Sequence, residues 1–233
     1  MKDLSQLHPL FSKNNVRGVV FDLDGTLIDS AADILQGMRM TLEQAGVGVI
    51  PDDYRLGNVH GTADDILRSI IADLGWQANQ DYDALHERYL ANAVKVNLQR
   101  SRLYDGVLDV LDACRHAGMP LAICTNKAFA GALAATQKFG IHERFTFITG
   151  CDTWDQAKPS PVPLLKTLDM ISLTPEECLY FGDTSVDAEC AHSAGVRFVL
   201  HTSGYCDQAV ENWPAIHRFQ AWKELLADEE QTA

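Results

Sequence analysis

The chain has 233 residues, of which 46% are hydrophobic and 22% are charged, so it can bury a sizeable core in one domain or in a domain with an insertion. Its formal net charge is −13, and no block of lysine or arginine is long enough to follow a phosphate backbone. We therefore do not expect nucleic acid to be a partner. A small anionic substrate is compatible with this charge only if the site supplies its own local positive charge.

Cysteine usage and hydropathy favour a cytoplasmic protein. The six cysteines are scattered, without a C-x-x-C pair or a histidine-spaced zinc pattern. Several lie in apolar runs, where a free thiol behaves as a small hydrophobe, and this favours a reducing compartment. Residues 1–16 contain no apolar run typical of a signal peptide, and no window approaches about 18 consecutive apolar residues. We therefore expect no membrane partner.

The first predicted element is a short buried strand, Val19–Phe21, which ends at Asp22. Apolar residues then recur at helical spacing in three stretches with no convincing strand between them. These predicted helices lie at 31–45, 62–74 and 82–98. Residues 30–102 are therefore predicted to form a helical insertion directly after the first strand and its turn.

From residue 103 onward, predicted strands alternate with predicted helices. The strands are expected at 120–124, 145–149, 177–181 and 196–201. The helices are expected near 107–114, 129–139, 162–170, 186–194 and 221–227. Such alternation predicts a parallel sheet with right-handed crossovers. The predicted fold class is a doubly wound, Rossmann-like α/β core made by residues 1–29 and 103–233, with an inserted α-helical domain at 30–102.

Two carboxylates at the end of the first strand form the first candidate site. Asp22 ends the buried run, Asp24 follows two residues later, and Gly25-Thr26 supplies a turn. Ligands of open α/β sheets bind at the carboxyl ends of strands. One carboxylate there can act as a nucleophile and the other as an acid or base, if their environments separate their pKa values. The alternative is a strand end followed by a solvated Asp-Gly turn.

Two later positions could grip a phosphate group. Thr125 follows the strand at 120–124, where its hydroxyl and the next backbone N–H groups can hold phosphate oxygens; alternatively, it caps the following helix. Lys158 lies in the proline-stiffened loop Lys158-Pro-Ser-Pro161. It is either the local positive charge that an anionic substrate requires or a solvated surface charge.

A second pair of acids, Asp183 and Asp187, follows the strand at 177–181. Together with Asp22 they place three anionic groups in one crevice. A divalent cation that prefers oxygen ligands would relieve their repulsion, and Mg²⁺ suits phosphate chemistry. The alternative is that both acids merely cap the N-terminus of the next helix.

These residues carry a family resemblance. Asp22-Leu-Asp-Gly-Thr-Leu-Ile-Asp-Ser30 resembles the first motif of the haloacid dehalogenase superfamily, in its phosphatase branch. Thr125, Lys158-Pro-Ser-Pro161 and Gly182-Asp183-Thr-Ser-Val-Asp187 are similar to the other three motifs, in the family's order. The insertion at 30–102 resembles the helical cap of the phosphoglycolate phosphatase-like members, in which the triplet Thr125-Asn126-Lys127 is common.

The resemblance implies a reaction. Asp22 would attack phosphorus and form an aspartyl-phosphate, and Asp24 would protonate the leaving alkoxide and then activate the hydrolytic water. Mg²⁺ would be bound by Asp22, Asp183 and the backbone carbonyl of Asp24. Asp187 would bind it directly or through water.

The resemblance also implies how substrate is held and what it is. Thr125, Asn126 and Lys158 would contact the substrate, with Thr125 and Lys158 stabilising the phosphate oxygens. The implied substrate is 2-phosphoglycolate or a similar small phosphorylated metabolite. A sugar phosphomutase of the same superfamily is the alternative enzyme, and a catalytically idle metal-binding scaffold is the alternative from another class. Whether the protein is a monomer or a homodimer stays open.

Overall fold

The structure, a computed structural model, describes residues 4–13, 15–57 and 59–227. It divides into two compact units: one runs up to Asp29 and resumes at Leu103, and the other is Ser30–Arg102. The ends of the predicted core range, 1–3 and 228–233, lie outside the described residues.

A six-stranded parallel sheet forms the centre of the first unit and confirms the predicted α/β fold class. The strands of the chain, in order, are β1 (Gly18–Phe21), β2 (Ile28–Asp29), β3 (Arg102–Leu103), β4 (Leu121–Cys124), β5 (Phe147–Thr149), β6 (Cys178–Gly182), β7 (Arg197–His201) and β8 (His217–Phe219). The two-residue strands β2 and β3 stand outside this sheet.

The strand order of the large sheet is β5-β4-β1-β6-β7-β8. β1 lies between β4 and β6, and Val20 is aligned with Ala122 on one side and with Tyr180 on the other. Because these strands are parallel, the residues that follow them meet at one edge of the sheet. In this sheet, β4 and β5 lie on one side of β1, and β6, β7 and β8 lie on the other. The strand order therefore reverses at β1, and open α/β sheets bind ligands at such a point.

Eight α-helices are found within the described residues. They are α1 (Pro9–Lys13), α2 (Ala31–Gln44), α3 (Ala63–Asp73), α4 (Tyr82–Val96), α5 (Val107–His116), α6 (Phe129–Lys138), α7 (Val162–Met170) and α8 (Ser185–Ala194). In this part of the chain, none has the length and hydropathy needed to cross a membrane.

Both faces of the large sheet are covered. One face buries Val20, Ala122 and Tyr180 together with Leu164 and Leu168 of α7. The opposite face carries a cluster of aromatic side chains, in which the rings of Phe21 and Phe181 lie 5.3 Å apart. Strands buried on both faces read as continuous apolar runs, and this is why β1, β4 and β6 could be predicted.

The end of the first unit differs from the prediction. The helix expected at 221–227 is wrong: the chain forms a single 3₁₀ turn, Trp222–Leu225, closed by the N–H of Ala221 donating to the Glu224 carboxylate at 2.8 Å. The fully buried Trp222 ring stacks on Phe181 at 5.9 Å, so packing replaces helical continuation. The sixth strand, β8, was not predicted, because three residues are too few to show a period.

The second unit consists of α2, α3 and α4, which correspond to the three helices predicted there. Its core includes Met38, Leu42, Leu67 and Ile70, all with no exposed surface. The α3 N-terminus is fixed by a capping box, in which Thr62 and Asp65 satisfy each other's backbone N–H groups. The helical pattern of this stretch therefore gave the right elements.

Candidate active site

The carboxyl ends of β1, β4 and β6 place the first candidate residues. Asp22 directly follows β1, and its N–H donates to the carbonyl of Phe181 on β6 at 2.8 Å. Thr125 directly follows β4, and its N–H donates to the carbonyl of Thr149 on β5 at 3.0 Å. The sheet's hydrogen bonding thus extends to both residues, so their backbones are held as firmly as the strands.

Asp22, Asp183 and Asp187 form a buried acidic cluster, with one carboxylate oxygen of each lying within 4.8 Å of the others. Asp183 is completely buried, and the other two are at most 6% exposed. Carboxylate oxygens are the ligands that Mg²⁺ prefers. The structure therefore brings together the three side chains for which a cation was predicted.

Lys158 supplies the positive charge of this cluster. Its Nζ lies 2.8 Å from Asp22 Oδ1 and 2.6 Å from Asp187 Oδ1. It also donates to the hydroxyl of Tyr180 at 2.8 Å, and the residue is only 5% exposed. The surface-charge alternative is therefore wrong for Lys158, because its ammonium is enclosed by oxygen acceptors.

Asn126 holds this lysine by its main chain. The Asn126 amide nitrogen donates to the Lys158 carbonyl at 2.9 Å, and its amide oxygen accepts the Lys158 N–H at 3.0 Å. The two hydrogen bonds fix the loop that carries the ammonium. The predicted substrate contact of Asn126 stays a prediction, and the contact observed is with the loop.

The electrostatics follow from burial and charge. Burial raises the pKa of Asp22 to about 6; Lys158 opposes this shift and Asp187 adds to it. The pKa of Asp183 lies well above its ordinary value, because burial and the charges of Asp187 and Asp22 disfavour its ionised form. Burial alone would lower the pKa of Lys158, but Asp187 and Asp22 raise it above its usual range. Lys158 therefore stays cationic.

Asp187 caps the N-terminus of α8 and also belongs to the acidic cluster. It is the third residue of α8 and completes a capping box, since its Oδ2 accepts the N–H of Thr184 at 3.1 Å and the Thr184 hydroxyl at 2.8 Å. Its Oδ1 accepts from Lys158 and from Tyr180. Burial would raise its pKa, but Lys158 and these hydrogen bonds hold the pKa below its usual value.

Asp183 does not cap a helix, contrary to the alternative considered for it. It accepts the Thr26 hydroxyl at 2.8 Å and the Tyr205 N–H at 2.6 Å. Gly25 packs so closely on it that a Cβ at this position would lie 2.2 Å from Asp183 Oδ2. Gly25 also has a φ of +85°, so glycine is required there on both counts.

Asp24 contacts a second lysine of the site, Lys127. Its carboxylate oxygens accept from Lys127 Nζ at 2.9 and 3.1 Å, and the two side chains are only about one-sixth exposed. Lys127, the last residue of the Thr125-Asn126-Lys127 triplet, is the ion-pair partner of Asp24. Thr125 is buried beside them, and its hydroxyl accepts the Lys127 N–H at 3.3 Å.

Three residues of the site were missed by sequence reasoning. Tyr180 lies in a fully buried strand, and its hydroxyl contacts Lys158 and Asp187. His201 Nδ1 bonds the Gly25 carbonyl at 2.9 Å, and Trp222 Nε1 donates to the Thr26 carbonyl at 3.2 Å. For Tyr180, the sequence did contain an indication of a role, because its hydroxyl lies within a run of apolar residues that predicts a buried strand. His201 and Trp222 gave none, because they act on the backbone of a distant turn.

The fold agrees with the family comparison. The model of the haloacid dehalogenase-like hydrolases matches residues 19–201, and the chain therefore belongs to this family of hydrolases. The resemblance stated from the sequence is confirmed.

Named relatives narrow the similarity to one branch. The chain is 32% identical over 213 residues to a phosphoglycolate phosphatase of Cereibacter sphaeroides, covering 89% of this chain and 95% of the relative. It is 32% identical to a phosphoglycolate phosphatase of Aquifex aeolicus, covering 82% and 86% of the two chains. A solved protein from Bacteroides fragilis, assigned to the haloacid dehalogenase-like hydrolases, is 27% identical, with a TM-score of 0.80 over 90% of this chain and 99% of that one. The chain is thus a phosphoglycolate phosphatase-like member of the family.

We predict that, in the cation-free protein, the stability of Asp22→Asn relative to the wild type increases with pH. The folded pKa of Asp22, about 6, lies above the ordinary value of 3.8, so the folded state holds the extra proton and stability falls as pH rises through 6. The free energy of unfolding of Asp22→Asn minus that of the wild type should grow by about 1–2 kcal/mol between about pH 5 and pH 7.5. Urea unfolding in EDTA measures it.

Asp112→Asn is the matched control, because Arg144 holds the pKa of Asp112 below its ordinary value. Asp112 is ionised in both the folded and the unfolded chain across this pH range, so its difference from the wild type should stay constant. A flat difference for Asp22→Asn as well would contradict the buried-carboxylate account.

Proposed function

We propose that this chain is a Mg²⁺-dependent phosphomonoester hydrolase that acts through an aspartyl-phosphate on Asp22. Its substrate is 2-phosphoglycolate or a similar small phosphorylated metabolite. The observation that carries this proposal is the strand-end carboxylate of Asp22, 2.8 Å from the Lys158 ammonium and inside a cluster with Asp183 and Asp187. A nucleophile, a fixed positive charge and a set of oxygen ligands thus converge where a phosphate can bind.

The donor set fits a small divalent cation. Burying three carboxylates against one ammonium leaves uncompensated negative charge, and oxygen ligands suit Mg²⁺. We propose that Asp22, Asp183 and the backbone carbonyl of Asp24 hold the cation. When bound, it would offset the negative charge of both nucleophile and phosphate. Asp187 already accepts five hydrogen bonds, which favours a contact with the cation through water.

The remaining residues act on the phosphate and on the leaving group. Lys158 remains cationic and would stabilise phosphate oxygens next to Asp22. Thr125 presents a hydroxyl at the neighbouring strand end, and the Asn126 amide keeps the Lys158 loop in place. Asp24, whose contacts are on the Lys127 side, would give a proton to the leaving oxygen and later accept one from water.

The substrate and domain roles rest on the relatives and on the division of the chain. Relatives of nearly the same length are phosphoglycolate phosphatases, and this favours a small phosphorylated acid as substrate. We propose residues 1–29 and 103–233 as the catalytic core domain and residues 30–102 as the cap domain; the two compact units support this division.

The test is release of inorganic phosphate from a panel of small phosphomonoesters, with Mg²⁺ and with excess EDTA. We expect Mg²⁺-dependent turnover, strongest on 2-phosphoglycolate, and its loss in Asp22→Asn, because the amide is a poor nucleophile. Asp112→Asn, a surface change of the same kind, should retain activity. Release from no ester by the folded protein would overturn the proposal and favour the mutase or the idle scaffold.

Asp24→Ala should lower turnover by an amount that depends on the leaving group of the ester. Without its acid, the enzyme should lose about 10²–10⁴-fold in kcat on alkyl phosphates, whose alkoxide needs a proton. The loss should be much smaller on activated aryl phosphates such as 4-nitrophenyl phosphate, since a phenolate leaves unprotonated. Steady-state kinetics on both esters measure the ratio, and equal losses would remove Asp24 from the leaving-group role.

A further inference from the structure

Lys127 is a second lysine of the site whose side chain is largely buried. Its ammonium contacts both carboxylate oxygens of Asp24, and only 16% of its side chain is exposed. Exposed ion pairs contribute little to stability, and lysine ordinarily keeps its ammonium in water. A lysine this well covered, two residues after the strand-end Thr125, indicates that the fold specifies where its charge lies.

The backbone and stem of Lys127 are fixed as well. Its N–H donates to the Thr125 hydroxyl at 3.3 Å, and its carbonyl accepts the Cys151 N–H at 3.1 Å. A Cβ at Gly150 would lie 2.8 Å from that carbonyl oxygen, so only glycine permits this approach of the two loops. On α6, a Cβ at Gly131 would touch the lysine stem at 3.4 Å. The backbone of Lys127 is therefore placed by contacts independent of Asp24.

The two ammonium groups of the site serve different sides of the reaction. Lys158 is enclosed by Asp22, Asp187 and Tyr180, on the side of the nucleophile. Lys127 contacts Asp24, the residue assigned to the leaving oxygen. Because the leaving oxygen would contact the same carboxylate as the ammonium, a group attached one carbon from that oxygen would lie near Lys127.

We propose, on the basis of the phosphatase function above, that Lys127 determines specificity by binding a carboxylate on the leaving group. The substrate class is phosphate esters of short 2-hydroxy acids, in which the carboxylate is one carbon from the ester oxygen. The lysine offers three donors and a full charge to the carboxylate. During bond cleavage the leaving oxygen takes its proton from Asp24, while Lys127 holds the carboxylate of the departing hydroxy acid.

This arrangement explains how a chain with a net charge of −13 selects a substrate with charges at both ends. Asp22 and Asp24 would repel a carboxylate placed near them, and Lys127 offsets that repulsion. Neutral leaving groups of the same size gain nothing from the ammonium. Sites built around a charged contact discriminate strongly against analogues that lack it.

The test compares 2-phosphoglycolate with ethyl phosphate, which replaces the carboxylate by a methyl group. Lys127→Met should lower the ratio of the two kcat/KM values by about 10- to 150-fold, the loss expected for a hydrogen bond to a charged group. Lys127→Arg, which keeps the charge, should retain a clear preference for 2-phosphoglycolate. Lys166→Met, the same change on an exposed position of α7, should leave the ratio unaltered.

Failure of the Lys127 proposal and failure of the phosphatase function give different results in this experiment. Equal losses on both esters in Lys127→Met would make Lys127 a support for Asp24 only and would overturn the proposal. A wild type that hydrolyses esters but prefers ethyl phosphate would also overturn it while leaving the phosphatase function intact. The ratio of kcat/KM on 2-phosphoglycolate to kcat/KM on ethyl phosphate is measured first on the wild type, without any variant. If Lys127→Met does not fold, Lys127→Gln replaces it. Hydrolysis of no ester would refute the phosphatase function itself.

Discussion

The site depends on one buried ammonium. Lys158 Nζ lies within 2.8 Å of Asp22, Asp187 and Tyr180, and the lysine and both carboxylates are nearly inaccessible to water. Removing one partner of such a buried pair leaves an uncompensated charge, which typically costs about 3–5 kcal/mol. The elements that carry these groups, the ends of β1 and β6, the start of α8 and the loop before α7, are therefore held in register by the charge as well as by packing.

The turn after β1 is fixed by a second set of contacts. His201 and Trp222 bond the carbonyls of Gly25 and Thr26, and the Thr26 hydroxyl donates to Asp183. These bonds connect the C-terminal part of the first unit to the turn that carries Asp24. These contacts hold the turn that carries Asp24, in the way that supporting residues orient functional groups in other proteins.

How much could be predicted depended on whether the determining contacts were local. Apolar runs ending in Asp22, Thr125 and Asp183 marked the strand ends, because a buried strand and its polar terminus are adjacent in sequence. Contacts across the fold carried no such signal: His201 and Gly25 are 176 residues apart, and Trp222 and Thr26 are 196 apart. The same reason explains the missed strand β8 and the wrong helix at 221–227, where tertiary packing of Trp222 overrides the local pattern.

The pairing of Asp24 with Lys127 also lay beyond the sequence. Their side chains meet because β1 and β4 are neighbours in the sheet, although 103 residues separate them. The motif alone did not show which residue Lys127 contacts. The strand order supplies the missing information, and it gives the two lysines of the site separate partners.

Isothermal titration of the apo protein with Mg²⁺, repeated on Asp183→Asn, tests the central claim most directly. On the proposed function, the buried acidic cluster carries charge that a divalent cation must offset. We therefore expect one Mg²⁺ per wild-type chain, together with a rise in thermal midpoint, and a large loss of affinity in Asp183→Asn. Absence of binding by the folded wild type at millimolar Mg²⁺, or equal affinity in Asp183→Asn, would contradict it.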